Sequence, residues 1–101
     1  KVAQWRALAR ARALDSTCYV LACGQADPAA SGRPAATGPV GVGHSVAAGP
    51  DGQLLGELGE GPGVLTIEVD PDEVVRVREA LPVLINSRFT SVLEGVSDSW
   101  P

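Results

Sequence analysis

The sequence predicts an α/β domain built from two helices and about four mainly antiparallel strands. Three observations predict it: an alanine-rich helical segment at residues 2–14, a hairpin turn at 49–52 between two strand-length segments, and a capped helix start at 70–73. Hydrophobic residues make up 45% of the chain and charged residues 20%, which is ordinary for a soluble globular domain. The 101 residues fit one domain or part of one.

The first helix is predicted from composition and spacing. Residues 2–14 include five alanines, which have the highest helix propensity, and Arg6 and Arg10 share one face a turn apart. Alanines permit the close approach of a neighbouring element, so we expect this helix to pack rather than to take part in chemistry. Its apolar stripe, at i, i+3 and i+4, consists of Trp5, Leu8 and Ala9.

The next segment is predicted to be a buried strand. Residues 18–23 form a continuous apolar run, which is typical of a strand covered on both faces. Cys18 and Cys23 match neither a redox Cys-x-x-Cys motif nor half of a zinc site, and with one histidine in the chain no metal site is predicted. Five positions is an odd offset, which directs the two side chains to opposite faces of a strand. We therefore expect both thiols to be reduced, unpaired and mostly buried.

A long loop is predicted at residues 26–42, where proline, alanine, serine and glycine dominate. It is longer than most connections in compact domains, and loops of that length are often functional. Two interpretations stay open: a segment that lines a pocket, or a variable surface insertion.

Turn chemistry predicts a hairpin with strands at residues 44–48 and 53–58. In the intervening Gly-Pro-Asp-Gly, Pro50 presets the φ of the first central position, Asp51 suits the second, and Gly52 takes the positive φ that follows. The two strands are therefore expected to be antiparallel neighbours.

A further strand is predicted at residues 64–69, because apolar side chains alternate there. The alternation assigns one face to Val64, Thr66 and Glu68 and the other face to Leu65, Ile67 and Val69.

The second helix is predicted from its start signals. Asp70 is expected to cap it, with Pro71 in the first helical position and Glu73 reaching back to the Asp70 amide. The helix is expected to run to about Leu81, followed from residue 85 by a polar tail to which no fold is assigned. Its apolar stripe consists of Val74, Val77 and Leu81.

Charge and hydropathy exclude two classes of partner. The net charge is −4, the pI is near 4.8 and the basic residues are scattered, so nucleic-acid binding is not expected. No apolar run approaches the ~20 residues of a membrane-spanning helix, and residues 1–14 lack the apolar block of a signal peptide. We therefore expect a cytoplasmic protein with neither a membrane nor a nucleic acid as its partner.

Four short signatures follow one another in a fixed order: R-A-R-A-L-D at residues 10–15, G-H-S at 43–45, G-P-D-G at 49–52 and L-P-V-L at 81–84. Each is a weak signal alone, but the ordered set resembles the last third of a carbon–nitrogen hydrolase of the nitrilase superfamily. The resemblance covers about residues 1–89, which we expect to form the C-terminal part of such a domain, with residues 90–101 as a tail.

The resemblance implies a partial αββα sandwich, with the two helices in outer layers and the strands in inner sheets. It also implies a mechanism with a Glu general base, a Cys nucleophile and a Lys that stabilises the tetrahedral intermediate. None of the three can be assigned in this sequence. Cys18 is followed by Tyr19 but lacks the Asp and Arg of the family's nucleophile motif, and Lys1, the one lysine, lies at the chain terminus. We therefore expect the catalytic residues upstream, and expect the chain alone to be inactive and to fold poorly.

The resemblance implies indirect roles for five residues. Gln25, where a strand ends, and His44, the one imidazole, are predicted to lie near the substrate. The alternatives are a strand-cap role for Gln25 and a structural hydrogen bond for His44. Arg10, Arg12 and Asp15 belong to a helix similar to the dimer-interface helix of the superfamily, and intramolecular salt bridges are their alternative role.

The predicted function is therefore that of a C-terminal fragment of an amidase-type carbon–nitrogen hydrolase, which cleaves a small non-peptide amide through a cysteine acyl-enzyme. No cofactor is expected, and the expected partners are the amide substrate and further copies of the protein in a homo-oligomer. Overall similarity in residues 43–63 favours the amidase branch over true nitrilases. The alternatives are a truncated, inactive product that retains only an association surface, and a relative that transfers the acyl group to an amine.

Overall fold

The computed structural model describes residues 1–34, 38, 40–82, 86 and 88, so the predicted tail lies almost wholly outside the described residues. The elements, in chain order, are α1 (Val2–Ser16), β1 (Val20–Ala22), a 3-10 turn (Pro28–Ser31), β2 (Val46–Ala48), β3 (Leu54–Glu57) and α2 (Pro71–Ala80). The α/β class is confirmed, with two helices and three antiparallel strands in the order β1-β2-β3. Neither helix of the described residues has the length and apolarity needed to span a lipid bilayer.

α1 packs against β1 and β2. The side chains that it buries are those of Ala9 and Ala13, whereas Leu8 is 54% exposed and Trp5 is half-buried. The predicted apolar stripe is therefore wrong at Leu8, whereas Ala9 is buried and Trp5 is half-buried. Small side chains on the buried face let the helix approach the sheet closely. The helix runs two residues beyond its predicted end and is terminated by Thr17, which adopts the left-handed conformation with φ 48°.

The hairpin formed by β2 and β3 is confirmed, with a bulge in its ladder. The Gly52 amide donates to the Gly49 carbonyl over 2.8 Å, and the Gly49 amide donates to the Gln53 carbonyl over 2.9 Å. Gly52 has the expected positive φ, 80°, and Pro50 is fully buried. The turn residues thus set the strand pairing, as their chemistry predicted.

β1 is covered on one face only by the described residues. α1 packs against the sheet, but Leu21 in the centre of β1 is 60% exposed, so the prediction of a strand covered on both faces is not met within these residues. Cys18 is half-buried and Cys23 is exposed on the open side, so the prediction of mostly buried thiols is wrong for Cys23. Both thiols are free, as expected.

Residues 64–69 do not join the sheet, so the predicted fourth strand is wrong. A strand requires a ladder of backbone hydrogen bonds with a neighbour, and the described part of the chain offers this segment none. The predicted alternation still holds in part, because Leu65 and Ile67 are half-buried whereas Val64 is 89% exposed. Leu65 lies directly over Gly56 of β3, where an added Cβ would meet it at 2.8 Å.

Asp70 caps α2, as predicted, and its Oδ1 accepts an amide of the first helical turn over 3.0 Å. Glu73 does not reach back to the Asp70 amide, so the predicted reciprocal cap is wrong. Its carboxylate binds Arg76 one turn later, and the Asp70 amide donates to the Tyr19 hydroxyl over 3.2 Å. A charge-assisted hydrogen bond to a guanidinium is stronger than one to a neutral amide, which explains why Glu73 binds Arg76 rather than the Asp70 amide.

The far end of α2 contacts the end of α1. Arg78 Nε donates to Thr17 Oγ1 over 3.1 Å. Of the predicted stripe, Val77 is buried and Val74 is half-buried, whereas Leu81 just beyond the helix is 44% exposed. The stripe prediction is therefore wrong at Leu81, which lies outside the helix and beyond its packed face.

Candidate functional site

A polar cluster joins α1 to the hairpin. Arg6 donates from Nε to Glu57 Oε1 over 2.7 Å and from Nη2 to Oε2 over 2.8 Å, which is a bidentate pair. His44 Nδ1 lies 3.3 Å from the same Oε2, and Trp5 Nε1 donates to the His44 carbonyl over 3.0 Å. These four residues are called the Glu57 cluster below.

The carboxylate at the centre of this cluster is held in its ionised form. Hydrogen bonding from Arg6 lowers the pKa of Glu57 to about 2; burial opposes this shift, and hydrogen bonding to His44 adds to it. The same pairing raises the pKa of Arg6. The Glu57 side chain is 24% exposed, so solvent still reaches the pair. At neutral pH the carboxylate is therefore charged and able to bind both neighbours.

The cluster lies at a left-handed turn of the backbone. Gly43 and His44 are consecutive, and both have positive φ angles, 73° and 58°. Glycine adopts this conformation freely, whereas a histidine there is strained and keeps the conformation only where surrounding contacts hold it. Gly43 is needed for a second reason, because an added Cβ would lie 2.6 Å from the Gly59 carbonyl oxygen.

Three segments meet at this turn: the chain after β1, the turn itself and the chain after β3. The Gly43 amide donates to the Gln25 carbonyl and the His44 amide to the Gly59 carbonyl, each over 2.9 Å. Ser45 Oγ accepts an amide of the segment after β1 over 2.9 Å. Because each contact involves a main-chain group, the position of one segment restricts the other two. We call the place where residues 24–25, 43–45 and 59 meet the crossing.

Two concave surfaces flank the crossing. A cavity of about 180 Å³ is lined by all three segments, and His44 and Ser45 contribute to its wall. A larger apolar groove of about 570 Å³ lies against β1 and β2, with residues 63–67 on one side and Leu21 and Cys23 in its lining. Ser45 lines both surfaces, so the cavity and the groove are adjacent.

The structure brings the two residues predicted near the substrate to one place. The Gln25 carbonyl accepts the Gly43 amide, and His44 is the next residue of the turn. The Gln25 side chain is exposed beside the crossing. Arg6 and Glu57 were missed as members of a site, because their contact joins residues 51 positions apart. The proximity of Gln25 and His44 to a substrate stays a prediction.

The three residues predicted at a dimer interface are all exposed on α1. Arg10 Nε donates to the Gly52 carbonyl over 2.8 Å and so braces the hairpin turn. The ion pairs among the described residues involve Arg6, His44 and Arg76 as the cations. The alternative role, intramolecular salt bridges of Arg10, Arg12 and Asp15, is therefore not observed among those residues. Their contact with a second copy stays a prediction.

Cys18 is not placed for catalysis in the described part of the chain. Its Sγ donates to the Ser16 carbonyl over 3.3 Å and accepts from Arg78 Nη2 over 3.4 Å, and neither partner is a general base. Lys1 precedes the first turn of α1. Within the described ranges, no three side chains of His, Cys, Asp or Glu are grouped so that they could hold a metal ion.

The fold and the ordered motifs define the class of protein. The sequence profile of the carbon–nitrogen hydrolases matches residues 2–79, and the chain belongs to the carbon–nitrogen hydrolase family.

Curated relatives of the chain include hydrolases and amidases. It is 46% identical over 89 residues to a hydrolase of Mycobacterium tuberculosis, covering 85% of this chain and 32% of that protein. It is 35% identical over 85 residues to the omega-amidase of Saccharomyces cerevisiae, covering 84% and 27%. A deaminated glutathione amidase of Escherichia coli is 38% identical over 85 residues, covering 84% and 28%. The chain thus spans about a third of the length of the curated relatives it matches.

A solved structure supports the same assignment. The crystal structure of a Saccharomyces cerevisiae member of branch 10 of the nitrilase superfamily matches with a TM-score of 0.69 and 34% sequence identity. The match covers 84% of this chain and 29% of that one. The prediction of a partial nitrilase-superfamily fold is therefore confirmed.

Proposed function

We propose that this chain is the C-terminal part of an amidase-type carbon–nitrogen hydrolase that cleaves a small non-peptide amide through a cysteine acyl-enzyme. One observation carries the proposal: the match extends over 84% of this chain in relatives named as amidases, but over less than 30% of their length. The names of those relatives supply candidate substrates, an omega-amide and deaminated glutathione.

The chemistry is assigned to residues outside this chain. A Glu takes the proton of a Cys thiol, and the thiolate adds to the amide carbon while a Lys stabilises the negative oxygen. The carbon–nitrogen bond breaks, and the amine leaves with the proton returned by the Glu. Water then attacks the thioester, giving one proton to the Glu and releasing the acid, and the thiol is re-formed. The contribution of this chain is the three-stranded sheet and the crossing, with Gln25 and His44 at the substrate.

The experiment compares the complete gene product with the 101-residue chain. The reading frame upstream of the Lys1 codon is expected to encode a Glu, a Lys and a Cys in family motifs. We expect the complete product to release ammonia from an omega-amide or the free amine from deaminated glutathione. We expect the isolated chain to hydrolyse neither amide and to show no cooperative melt by circular dichroism. Thiol-dependent hydrolysis of either amide by the isolated chain would overturn the proposal, as would an upstream reading frame without the three residues.

A double substitution separates the catalytic thiol from the two thiols of this chain. Cys18→Ser and Cys23→Ser together are expected to leave kcat of the complete product within about twofold, because neither thiol has a base beside it. The upstream Cys changed to Ser is the positive control and is expected to abolish turnover. Loss of turnover in the double variant of a normally folded product would contradict the assignment.

We also propose that α1 contributes to a contact between copies through Arg10, Arg12 and Asp15. Their side chains are exposed along one helix, and Arg12 and Asp15 form no ion pair among the described residues. Arg12→Glu is expected to shift the complete product towards monomer in sedimentation velocity. Arg33→Glu, in the exposed loop, is the matched control and should leave the assembly unchanged. Equal sedimentation of both variants and the wild type would contradict this contact.

A further inference from the structure

The left-handed turn at Gly43 and His44 needs contacts from outside its own segment. Gly43 tolerates its φ of 73°, but His44 at 58° has a Cβ and is strained there. Strained backbone persists only where the surroundings hold it, and it concentrates near binding and catalytic sites. Three contacts hold His44. Its amide donates to the Gly59 carbonyl, its carbonyl accepts from Trp5 Nε1, and its ring nitrogen Nδ1 lies beside the carboxylate of Glu57.

The contact between His44 and Glu57 depends in turn on Arg6. The fork of the guanidinium occupies both carboxylate oxygens, which fixes the plane of the carboxylate. The oxygen that lies near His44 Nδ1 is the one that accepts from Arg6 Nη2. Without the guanidinium, the carboxylate of Glu57 is free to rotate away from the imidazole. Arg6 therefore acts on the turn through Glu57.

The turn transmits this restraint to the substrate pocket, meaning the surface formed by Gln25 and His44, the two residues that the proposed function places at the substrate. The Gly43 amide binds the Gln25 carbonyl over 2.9 Å, and Gly41 approaches Gln25 so closely that an added Cβ would overlap its carbonyl group. A shift of the turn therefore moves Gln25, and it also moves His44 in the wall of the cavity of about 180 Å³.

We propose that Glu57, oriented by Arg6, is a positioning residue that sets the shape of the substrate pocket by holding the Gly43–His44 turn against Gln25. This inference rests on the proposed function, since it assigns a role in amide binding. Glu57 acts through the turn and does not touch the reacting atoms. Its loss is therefore expected to weaken substrate binding more than it slows the chemical step.

The test uses the complete gene product and two variants, of which Glu57→Gln is nearly isosteric and Arg6→Gln shortens the side chain. Glu57→Gln keeps a hydrogen-bonding side chain but removes the charge that binds the guanidinium, and Arg6→Gln removes the fork. The matched control is Arg76→Gln, which breaks the pairs of Arg76 with Glu73 and Asp70 on the exposed side of α2.

Two readouts are measured for each variant. Amide hydrogen exchange at Gly43 and His44 reports the turn and needs no turnover. The steady-state rate of amide hydrolysis, followed as ammonia from an omega-amide or as free amine from deaminated glutathione, reports binding and chemistry. In both Glu57→Gln and Arg6→Gln, exchange at the two amides is expected to rise about tenfold and KM to rise about tenfold with kcat within about twofold. Arg76→Gln is expected to change neither readout.

Each outcome decides the proposal. Unchanged exchange at Gly43 and His44 would overturn the restraint, and faster exchange with an unchanged KM would overturn its role in the pocket. A loss in kcat alone would also overturn it. Absence of amide hydrolysis in the wild type would refute the proposed function and, with it, the assigned role in the pocket, whereas exchange would still decide the restraint on the turn. Should Glu57→Gln not fold, Arg6→Gln decides alone, with melting curves confirming the folded state.

Discussion

At the scale of single residues, the crossing requires a glycine at position 43, because the backbone there has a positive φ and leaves no room for a Cβ. We predict that Gly43→Ala lowers the free energy of unfolding of the complete product by roughly 2 kcal/mol or more. The substitution adds strain at φ 73° and places a Cβ 2.6 Å from the Gly59 carbonyl oxygen and 2.7 Å from that of Glu60. Urea denaturation measures the change.

Gly32 supplies the matched control for this substitution. Its φ is also 73°, but an added Cβ would meet nothing within 4 Å. Gly32→Ala therefore isolates the strain of a positive φ, about 1 kcal/mol. If the two substitutions lowered the free energy of unfolding equally, the close approach of the Gly59 and Glu60 backbone to Gly43 would not contribute to the cost of Gly43→Ala.

Glu57 also makes stability depend on pH in a defined window. Its pKa is lowered in the folded protein from 4.5 to about 2, mainly by hydrogen bonding from Arg6. As the pH falls, the unfolded chain binds the proton first, so the contribution of Glu57 is complete above pH 4.5 and is lost as the pH approaches about 2. We expect the Tm difference between wild type and Glu57→Gln to be constant above this window and to shrink within it. A difference independent of pH across the window would contradict the pairing.

At the scale of elements, α2 depends on its first cap. Asp70→Ala is expected to lower the free energy of unfolding by about 1 kcal/mol, because the Oδ1 that accepts an amide of the first turn is lost. Asp70→Asn keeps an acceptor and should cost only a few tenths of a kcal/mol. Asp70 also pairs with Arg76, but that pair is exposed and contributes little. If Asp70→Asn cost as much as Asp70→Ala, charge rather than capping would govern this end of the helix.

The elements that the sequence predicted correctly depend on local chemistry. The hairpin turn and the cap at Asp70 involve residues within a few positions of one another, so side-chain type and spacing decide them. The segment at 64–69 has a strand pattern, but a strand also needs a partner, which no local pattern supplies. Gln25 and His44 were proposed from the family resemblance, and their role at the substrate stays a prediction. The contact of Arg6 with Glu57 could not be predicted from the sequence, because it joins residues 51 positions apart and depends on how the hairpin is paired.

At the scale of the whole molecule, the described residues leave an apolar surface without cover. The groove of about 570 Å³ contains Leu21, which is 60% exposed, and Val64, which is 89% exposed. Apolar side chains concentrated in one groove are typical of a surface that another part of a protein covers. Under the proposed function, the cover is the upstream part of the same hydrolase, because the chain spans about a third of its relatives.

Two valines test whether the groove is covered in the complete product. Val64 lines the groove, and Val75 lies on α2 and is 54% exposed, so the described surface alone would make Val75 the more costly position. If the upstream segment covers the groove, substitution of Val64 becomes more costly to stability than substitution of Val75. We expect Val64→Ser to lower the free energy of unfolding by about 1.5 kcal/mol or more and Val75→Ser by less than about 0.5 kcal/mol, both measured by urea denaturation. If Val75→Ser were the more damaging substitution, the groove would be open to solvent in the complete product, and the upstream segment would have to lie elsewhere.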